Sequence, residues 1–327
     1  MKNKQKIKVY FAPMEGLADP PLRKVLCPHG GYDWCFSEFI RVTDEGVSDK
    51  TLLNDCPELR NGGRTEDGTP CRLQLLGDDP DLMGQGALSA VRLGALGVDI
   101  NFGCPSRFVH HSGSMLLKEP ELLRDIVASV ISSIPSDVLL SVKIRTGFND
   151  KSELEGILAA VAQRGVDEVI VHCRTRSELY RREALDWSVL KPMHEKFPHV
   201  TLVANGDIND AECAKRCMEL SGCTTLMCGR GGFMIPNIGR VIRDGDEPYD
   251  EILRLKVMRE TAESFVNMGI SRDKTVLDRT KQFLSYARMG SPVLAEFFKK
   301  FCRCQSVDEC FDLIDAKIKE LKAKQET

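Results

Sequence analysis

Eight short apolar runs, each followed by a longer segment with helical spacing, constrain this chain more than any other feature of its sequence. The runs are Val9 to Ala12, Trp34 to Phe39, Arg72 to Leu76, Val98 to Asn101, Leu139 to Ile144, Glu168 to His172, Thr201 to Ala204 and Thr225 to Cys228. Several place Val, Ile and Leu on consecutive positions, the pattern of parallel strands buried on both faces. The segments between them, such as Leu82 to Leu96, Glu121 to Ser133, Glu153 to Arg164 and Ala211 to Leu220, repeat apolar residues at helical spacing. Eight such pairs over about 240 residues predict a (β/α)8 TIM barrel. A doubly wound open sheet shares this alternation and is the alternative fold.

After about Asp246 the strand signals stop. Four helical patterns follow, over Asp250 to Met268, Asp273 to Met289, Pro292 to Cys302 and Val307 to Ala323. Ser291-Pro292 supplies a cap and a first-turn proline, and Ser306-x-x-Glu309 is a capping-box pattern. The 327 residues therefore divide into an expected barrel over 1–245 and a small all-α domain over 246–327.

The strand endings are polar. Ala12-Pro13-Met14-Glu15-Gly16 closes the first run, Gln74 lies in the third, and Asn101 and Cys104 close the fourth. Lys143 and Arg145 end the fifth run, His172 and Arg174 the sixth, Asn205-Gly206-Asp207 the seventh and Gly229-Arg230-Gly231-Gly232 the eighth. In a barrel these endings converge on the C-terminal face, where barrel enzymes place their active sites. The glycine-rich endings, with Arg230, suit a phosphate group near a helix N-terminus. Lys143 sits in an apolar run, where an unpaired ammonium is expensive. It reads either as a cation facing a cofactor ring or as a desolvated, imine-forming amine. Gln74 offers a donor and an acceptor to a planar ring, and Met14 a soft surface beneath one. His172 alone decides little. Cys104 lies on a turn where Gly103 allows the bend and Pro105 stiffens the backbone beyond it. A thiol of ordinary pKa, about 8.5, is protonated at neutral pH and can act as an acid.

Composition narrows the partners. A net charge of −3 gives no global attraction to nucleic acid, so any such partner must meet a local basic patch. Thirteen cysteines without a paired framework point to a reducing, cytoplasmic setting. Their spacings, such as Cys302-x-Cys304, lack the two-plus-two pattern of a zinc site, and no metal is expected. No run approaches the ~18 apolar residues of a membrane span, and the Lys-rich start lacks the apolar stretch of a signal peptide. No membrane association is expected.

Taken together, these residues resemble the tRNA-dihydrouridine synthases. The matching motifs are Ala12-Pro13-Met14-Glu15-Gly16, Gln74-Leu75-Leu76-Gly77, Asn101-Phe102-Gly103-Cys104-Pro105-Ser106 and Val142-Lys143-Ile144-Arg145. His172-x-Arg174-Thr175, Tyr180-Arg181, Asp186-Trp187, Asn205-Gly206-Asp207-Ile208, Gly229-Arg230-Gly231 and Lys281-Gln282-Phe283-Leu284-Ser285-Tyr286 extend the likeness over nearly the whole chain. Glu38-Phe39-Ile40-Arg41-Val42 and Cys56-Pro57-Glu58-Leu59 are most similar to the bacterial C subfamily, whose target is uridine 16.

The resemblance implies a barrel that holds FMN and a C-terminal helical domain that grips the D-loop side of tRNA, in a protein that works as a monomer. Met14, Gln74, Lys143 and His172 would contact the flavin ring and ribityl region. Asn205, Gly206, Gly229 and Arg230 would hold the phosphate, with Pro13 and Asp207 completing the cofactor set. NADPH would reduce the flavin, which would pass hydride to the uracil 5,6 double bond while Cys104 protonates the other carbon. Lys143 would stabilise negative charge on the reduced ring, and Asn101 would position an unstacked uracil. Candidate tRNA contacts are Arg41, Arg107, Arg174, Arg176, Arg181, Arg272, Lys274, Arg279, Lys281 and Arg288, so binding should weaken with salt.

The chain departs from the family after Cys104. A Lys and a run of glycines usually follow, whereas Ser106-Arg107-Phe108-Val109-His110-His111-Ser112-Gly113 has one glycine and an Arg in place of the Lys. Other readings of the residues are a lyase using Lys143, an oxidoreductase of a free pyrimidine, and a non-catalytic tRNA-binding barrel.

Overall fold

The computed structural model describes residues 6–105, 111–269 and 273–326. Eight parallel strands form one sheet: β1 (Lys8–Phe11), β2 (Cys35–Arg41), β3 (Cys71–Leu76), β4 (Gly97–Asn101), β5 (Leu139–Arg145), β6 (Glu168–His172), β7 (Thr201–Asn205) and β8 (Thr225–Cys228). Their order, β1-β8-β7-β6-β5-β4-β3-β2, is the sequential order of a barrel. A parallel bridge between Tyr10 and Trp34 brings β1 back to β2 and closes it. The fold is the (β/α)8 barrel, and the open-sheet alternative falls away.

Local chemistry sets where the outer helices begin. Asp19, Asp79 and Ser291 each cap a helix whose first turn carries a proline, Pro20, Pro80 and Pro292. A proline there forfeits an N–H that would be orphaned anyway, and its fixed φ suits the helix. The predicted helix over Glu153 to Arg164 is shorter than its pattern, ending at Val161 before Gly165 turns the chain at φ 108°. At Ser306 the hydroxyl accepts from the Glu309 N–H as expected. The Glu309 carboxylate reaches the Gln305 N–H, one residue earlier than a capping box requires.

Beyond β8 the chain is helical. Helices Glu251–Asn267, Asp273–Ala287, Pro292–Phe301 and Val307–Gln325 pack on one another, and Glu251–Asn267 also packs on the barrel helix Pro20–Gly30. Among the described residues no helix is long and apolar enough to cross a membrane.

Strand residues alternate between the barrel interior and the helix layer. Tyr10, Phe36, Ile170, Val203 and Met227 form an interior cluster separate from the main core beneath the helices. The interior also holds a charge pair. Arg72 of β3 meets Glu168 of β6 at 2.7 Å, and the Tyr10 hydroxyl donates to the same carboxylate at 2.8 Å. The guanidinium lies over the rings of Trp34 (4.6 Å), Tyr10 and Phe36 (both 5.1 Å), so aromatic faces surround its remaining N–H groups. This pair crosses the barrel near the N-terminal ends of its strands and forms a floor.

Removing one partner of a buried pair strands the other charge. Glu168→Gln is expected to lower stability by about 3–5 kcal/mol, read from the urea unfolding midpoint. Arg72→Met combined with Glu168→Gln should recover most of that loss.

Candidate active site

A cavity of about 540 Å³ opens at the C-terminal ends of the strands, a volume that suits a cofactor-sized ligand. Strand register explains which side chains meet there. Asn101 pairs with Lys143, Arg145 with His172, His172 with Asn205 and Asn205 with Met227, so inward-facing residues near the strand ends lie side by side. All the residues the sequence assigned to catalysis or cofactor binding line this one cavity: Pro13, Met14, Gln74, Asn101, Cys104, Lys143, His172, Asn205, Gly206, Asp207, Gly229 and Arg230.

One wall is a polar chain across three strands. Gln74 Nε2 donates to Asp99 Oδ2 at 2.6 Å, and Asn101 Nδ2 donates to Gln74 Oε1 at 2.8 Å. Asn101 Oδ1 accepts from the backbone N–H groups of Gly103 and Cys104, both at 2.9 Å. The Cys104 carbonyl accepts from Ser114 N–H at 3.0 Å and from the Ser114 hydroxyl at 2.6 Å. The half-buried thiol thus sits on a turn pinned from both sides.

The adjoining wall is cationic. Lys143 makes no hydrogen bond or ion pair among the described residues. Burial, then the charge of Arg145, pushes its ammonium down to about 8, opposed by Asp99. Burial and the charges of Arg145, Lys143, Arg174 and Arg230 hold His172 well below the usual histidine range, so it is neutral at pH 7. Its Nδ1 is buried without a partner among the described residues. Arg145 is a positioning group that the sequence reading left without a role. It donates to the carbonyls of Gly103, Thr175 and Leu179 at 2.9–3.0 Å, tying the Cys104 turn to the loop after β6. Its spacing from Lys143, two residues along one strand, was the available signal.

At the far end Gly206 adopts φ 127°, and a Cβ there would lie 2.8 Å from Leu185. Asp207, non-glycine at φ 45°, is held there by ion pairs to Arg174 and Arg230. Arg174 Nη1 is buried without a partner among the described residues. The part-exposed Arg230 guanidinium, beside the turn backbone of Gly206 and Gly229, makes a cradle for an anion, with Arg174 bracing Asp207 from behind.

Tyr180, Leu179, Phe39 and Tyr286 also line the cavity. Tyr180 meets the His172 ring edge-on and lies near the guanidinium groups of Arg145 and Arg230. Tyr286 comes from helix Asp273–Ala287, so the C-terminal helices complete the mouth. Only folding brings that residue to the barrel.

The basic residues expected to meet tRNA divide by exposure. Arg41, Arg181 and Lys274 are exposed. Arg174 is fully buried, donating to Arg181 O and Asp207, so it braces the cavity rather than offering surface charge. Arg176 and Arg288 are half-buried over Phe148 and Phe298. Arg279 is held by Asp19 at 3.3 Å and Gln282 at 3.1 Å, and Lys281 donates to Cys304 O at 2.7 Å. Arg107 and Arg272 lie outside the described residues.

Elsewhere, Cys56, Glu58 and Cys71 bring their ligand atoms within 4.8 Å of one another. Both Glu58 oxygens accept from Arg23 at 2.7 Å, so the carboxylate is engaged by a buried guanidinium.

The fold and the cavity together define a TIM-barrel protein with a ligand site at the C-terminal mouth of its strands. Residues 10–324 match the dihydrouridine synthase (Dus) family, and the chain belongs to it. Similar relatives include the tRNA-dihydrouridine(16) synthase of Haemophilus ducreyi (37% identity, covering 89% of this chain and 90% of the relative). Those of Shewanella oneidensis (35%; 94% and 98%) and Escherichia coli K12 (37%; 90% and 93%) are also similar. Among solved structures, the old yellow enzyme homologue from Zymomonas mobilis shares the fold at a TM-score of 0.53 and 14% identity, covering 75% of this chain and 90% of that one.

The folded protein binds the Lys143 proton less tightly than the unfolded chain. Its charge therefore weighs against folding below about pH 8, and that burden lifts as pH climbs towards 10.5. A titration of 13C-labelled lysine side chains in the ligand-free protein should show one resonance moving near pH 8 and absent from Lys143→Met. A Lys143 midpoint near 10.5 would remove the desolvated-cation assignment.

Proposed function

We propose that this chain is a flavin-dependent tRNA-dihydrouridine synthase that reduces the 5,6 double bond of a D-loop uridine, uridine 16, with FMN as cofactor and NADPH as reductant. The observation that carries the reading is convergence within a Dus-family chain. An anion cradle, a cationic wall with unpartnered polar atoms and a thiol-bearing turn share one cavity.

The residues fit FMN. Arg230 and Asn205, with the backbone of Gly206 and Gly229-Arg230-Gly231, would take its phosphate. A Cβ at Gly229 would lie 3.2 Å from the Met14 sulfur, so a larger residue would encroach on the cradle beside Met14. Lys143, Gln74 and the unpartnered His172 Nδ1 would meet the ring system. The chemistry that the bound cofactor supplies is transfer of a hydride, drawn from NADPH, to one carbon of the uracil double bond.

The chain's own residues do the rest. The Lys143 ammonium offsets negative charge on the ring edge it faces, in a site where burial magnifies electrostatic effects. Neutral His172 adds no further cation to that wall. The Asn101 amide orients the uracil, which must leave its stack to enter the cavity. Cys104 Sγ gives its proton to the second carbon of the double bond, and solvent returns a proton to the thiolate. The division into a barrel over 1–245 and a tRNA-gripping helical domain over 246–327 is part of the proposal. It is supported by the end of strand structure at Cys228 and by the reach of Tyr286 into the mouth. Exposed Arg41, Arg181 and Lys274 are the basic residues best placed to meet phosphates.

Cys104→Ala is expected to lower dihydrouridine formation at position 16 by about 10²-fold or more, while NADPH-driven bleaching of bound FMN continues near the wild-type rate. The measurement is position-resolved mapping of dihydrouridine in tRNA from a deletion strain complemented with each variant. Full complementation by Cys104→Ala would overturn the acid assignment. Restoration at another position would move the target uridine.

A further inference from the structure

Asp99 is fully buried and does not line the cavity, yet it anchors the polar wall that does. Its two oxygens accept from the Ser141 hydroxyl of β5 and from Gln74 Nε2 of β3. A carboxylate has no hydrogen to give, so the Gln74 atom facing it must be the amide nitrogen. That turns Gln74 Oε1 toward Asn101, which answers with Nδ2. Asn101 Oδ1 then faces the N–H groups of Gly103 and Cys104. Every polarity along the chain from Ser141 to Cys104 is therefore consistent, with an acceptor-only group at one end and donor-only backbone at the other.

We propose that Asp99 is the positioning residue of this site, acting through Gln74 and Asn101 to give the cavity a wall that only donates hydrogen bonds. Each amide keeps a second N–H with no partner among the described residues, and both residues line the cavity beside the Lys143 ammonium. Such a wall takes the edge of a planar ring that carries carbonyl and imine acceptors, and it rejects an edge that presents N–H. The same chain fixes the turn that carries Cys104. A reversed Gln74 would instead put its carbonyl against the Asp99 carboxylate, where neither has a proton to share. The inference rests on the reading of the cavity as a flavin site.

The test uses the full-length protein stripped of flavin, with FMN as the probe. Binding is read from quenching of FMN fluorescence, and the edge contacts from the visible absorption bands of bound FMN. Asp99→Leu leaves the Gln74 N–H unpaired and lets the amide turn. It should weaken FMN about tenfold or more and shift the bands. Asp99→Asn should rescue both, because its carbonyl accepts from Gln74 while its amide donates to the Ser141 oxygen. In a Gln74→Met background Asp99→Leu and Asp99→Asn, which both remove the charge that acts on Lys143, should bind FMN equally, since the amide they act through differently is gone. Should Asp99→Leu fail to fold, Asp99→Asn is compared with Asp99→Asn combined with Ser141→Ala. Without the serine the new amide can reverse, and the rescue should be lost. Equal affinity and identical bands for wild type and Asp99→Leu, or for those two Asn variants, would overturn the proposal. Failure of the wild-type protein to bind FMN would instead overturn the flavin reading on which it rests.

Discussion

The ion pair between Arg72 and Glu168 spans the inside of the barrel, and the cavity stands on it. A closed barrel gives its interior no water, so charge can sit there only if it is paired and its remaining donors are faced by something polarisable. Tyr10, Trp34 and Phe36 provide those faces, while the Tyr10 hydroxyl donates to one oxygen of the carboxylate and Arg72 pairs with the other. Above this floor Ile170, Val203 and Met227 fill the interior. The polar ends of the strands are thus held apart from the charges below them.

The site above uses the same low dielectric in the opposite sense. Lys143, Arg145, Arg174 and Arg230 share one region, with Asp99 and Asp207 as the nearby carboxylates. Burial, and after it repulsion by the neighbouring cations, depresses the lysine and keeps His172 uncharged. A wall of this kind is costly when it faces nothing and favourable when it meets an anionic or acceptor-rich ligand. Such a balance is what a tightly held phosphate-bearing cofactor requires. Asp207, at a positive φ, and His172, whose Nδ1 has no partner among the described residues, both line the cavity where a ligand would sit.

Much of this was legible in the chain itself. The polar residues in and after the apolar runs, Gln74, Asn101, Lys143, His172 and Asn205, were the signal, and a barrel brings strand ends together on one face. The Gly206 turn was legible too, because few residues other than glycine accept its φ. Exposure was not. Arg174 read as a surface cation, yet it is buried against Asp207, because one residue of offset beyond a strand end separates a wall from a rim. Arg279 and Lys281 likewise carry charge that partners within the fold have already engaged.

By itself, then, the sequence determined eight strands alternating with helices, the helical addition and the polar side chains at the strand ends, since periodicity and strand-end chemistry are local properties. Closure of the sheet into a barrel was decided by the bridge between Tyr10 and Trp34 and by the strand order. Only the tertiary structure decided that Asp99 closes the chain of amides, that Arg145 ties the Cys104 turn to the loop after β6, and that Tyr286 enters from the C-terminal helices. Those contacts join residues tens to hundreds of positions apart. Which polar group meets which depends on strand register and helix packing, and neither is encoded within any one segment.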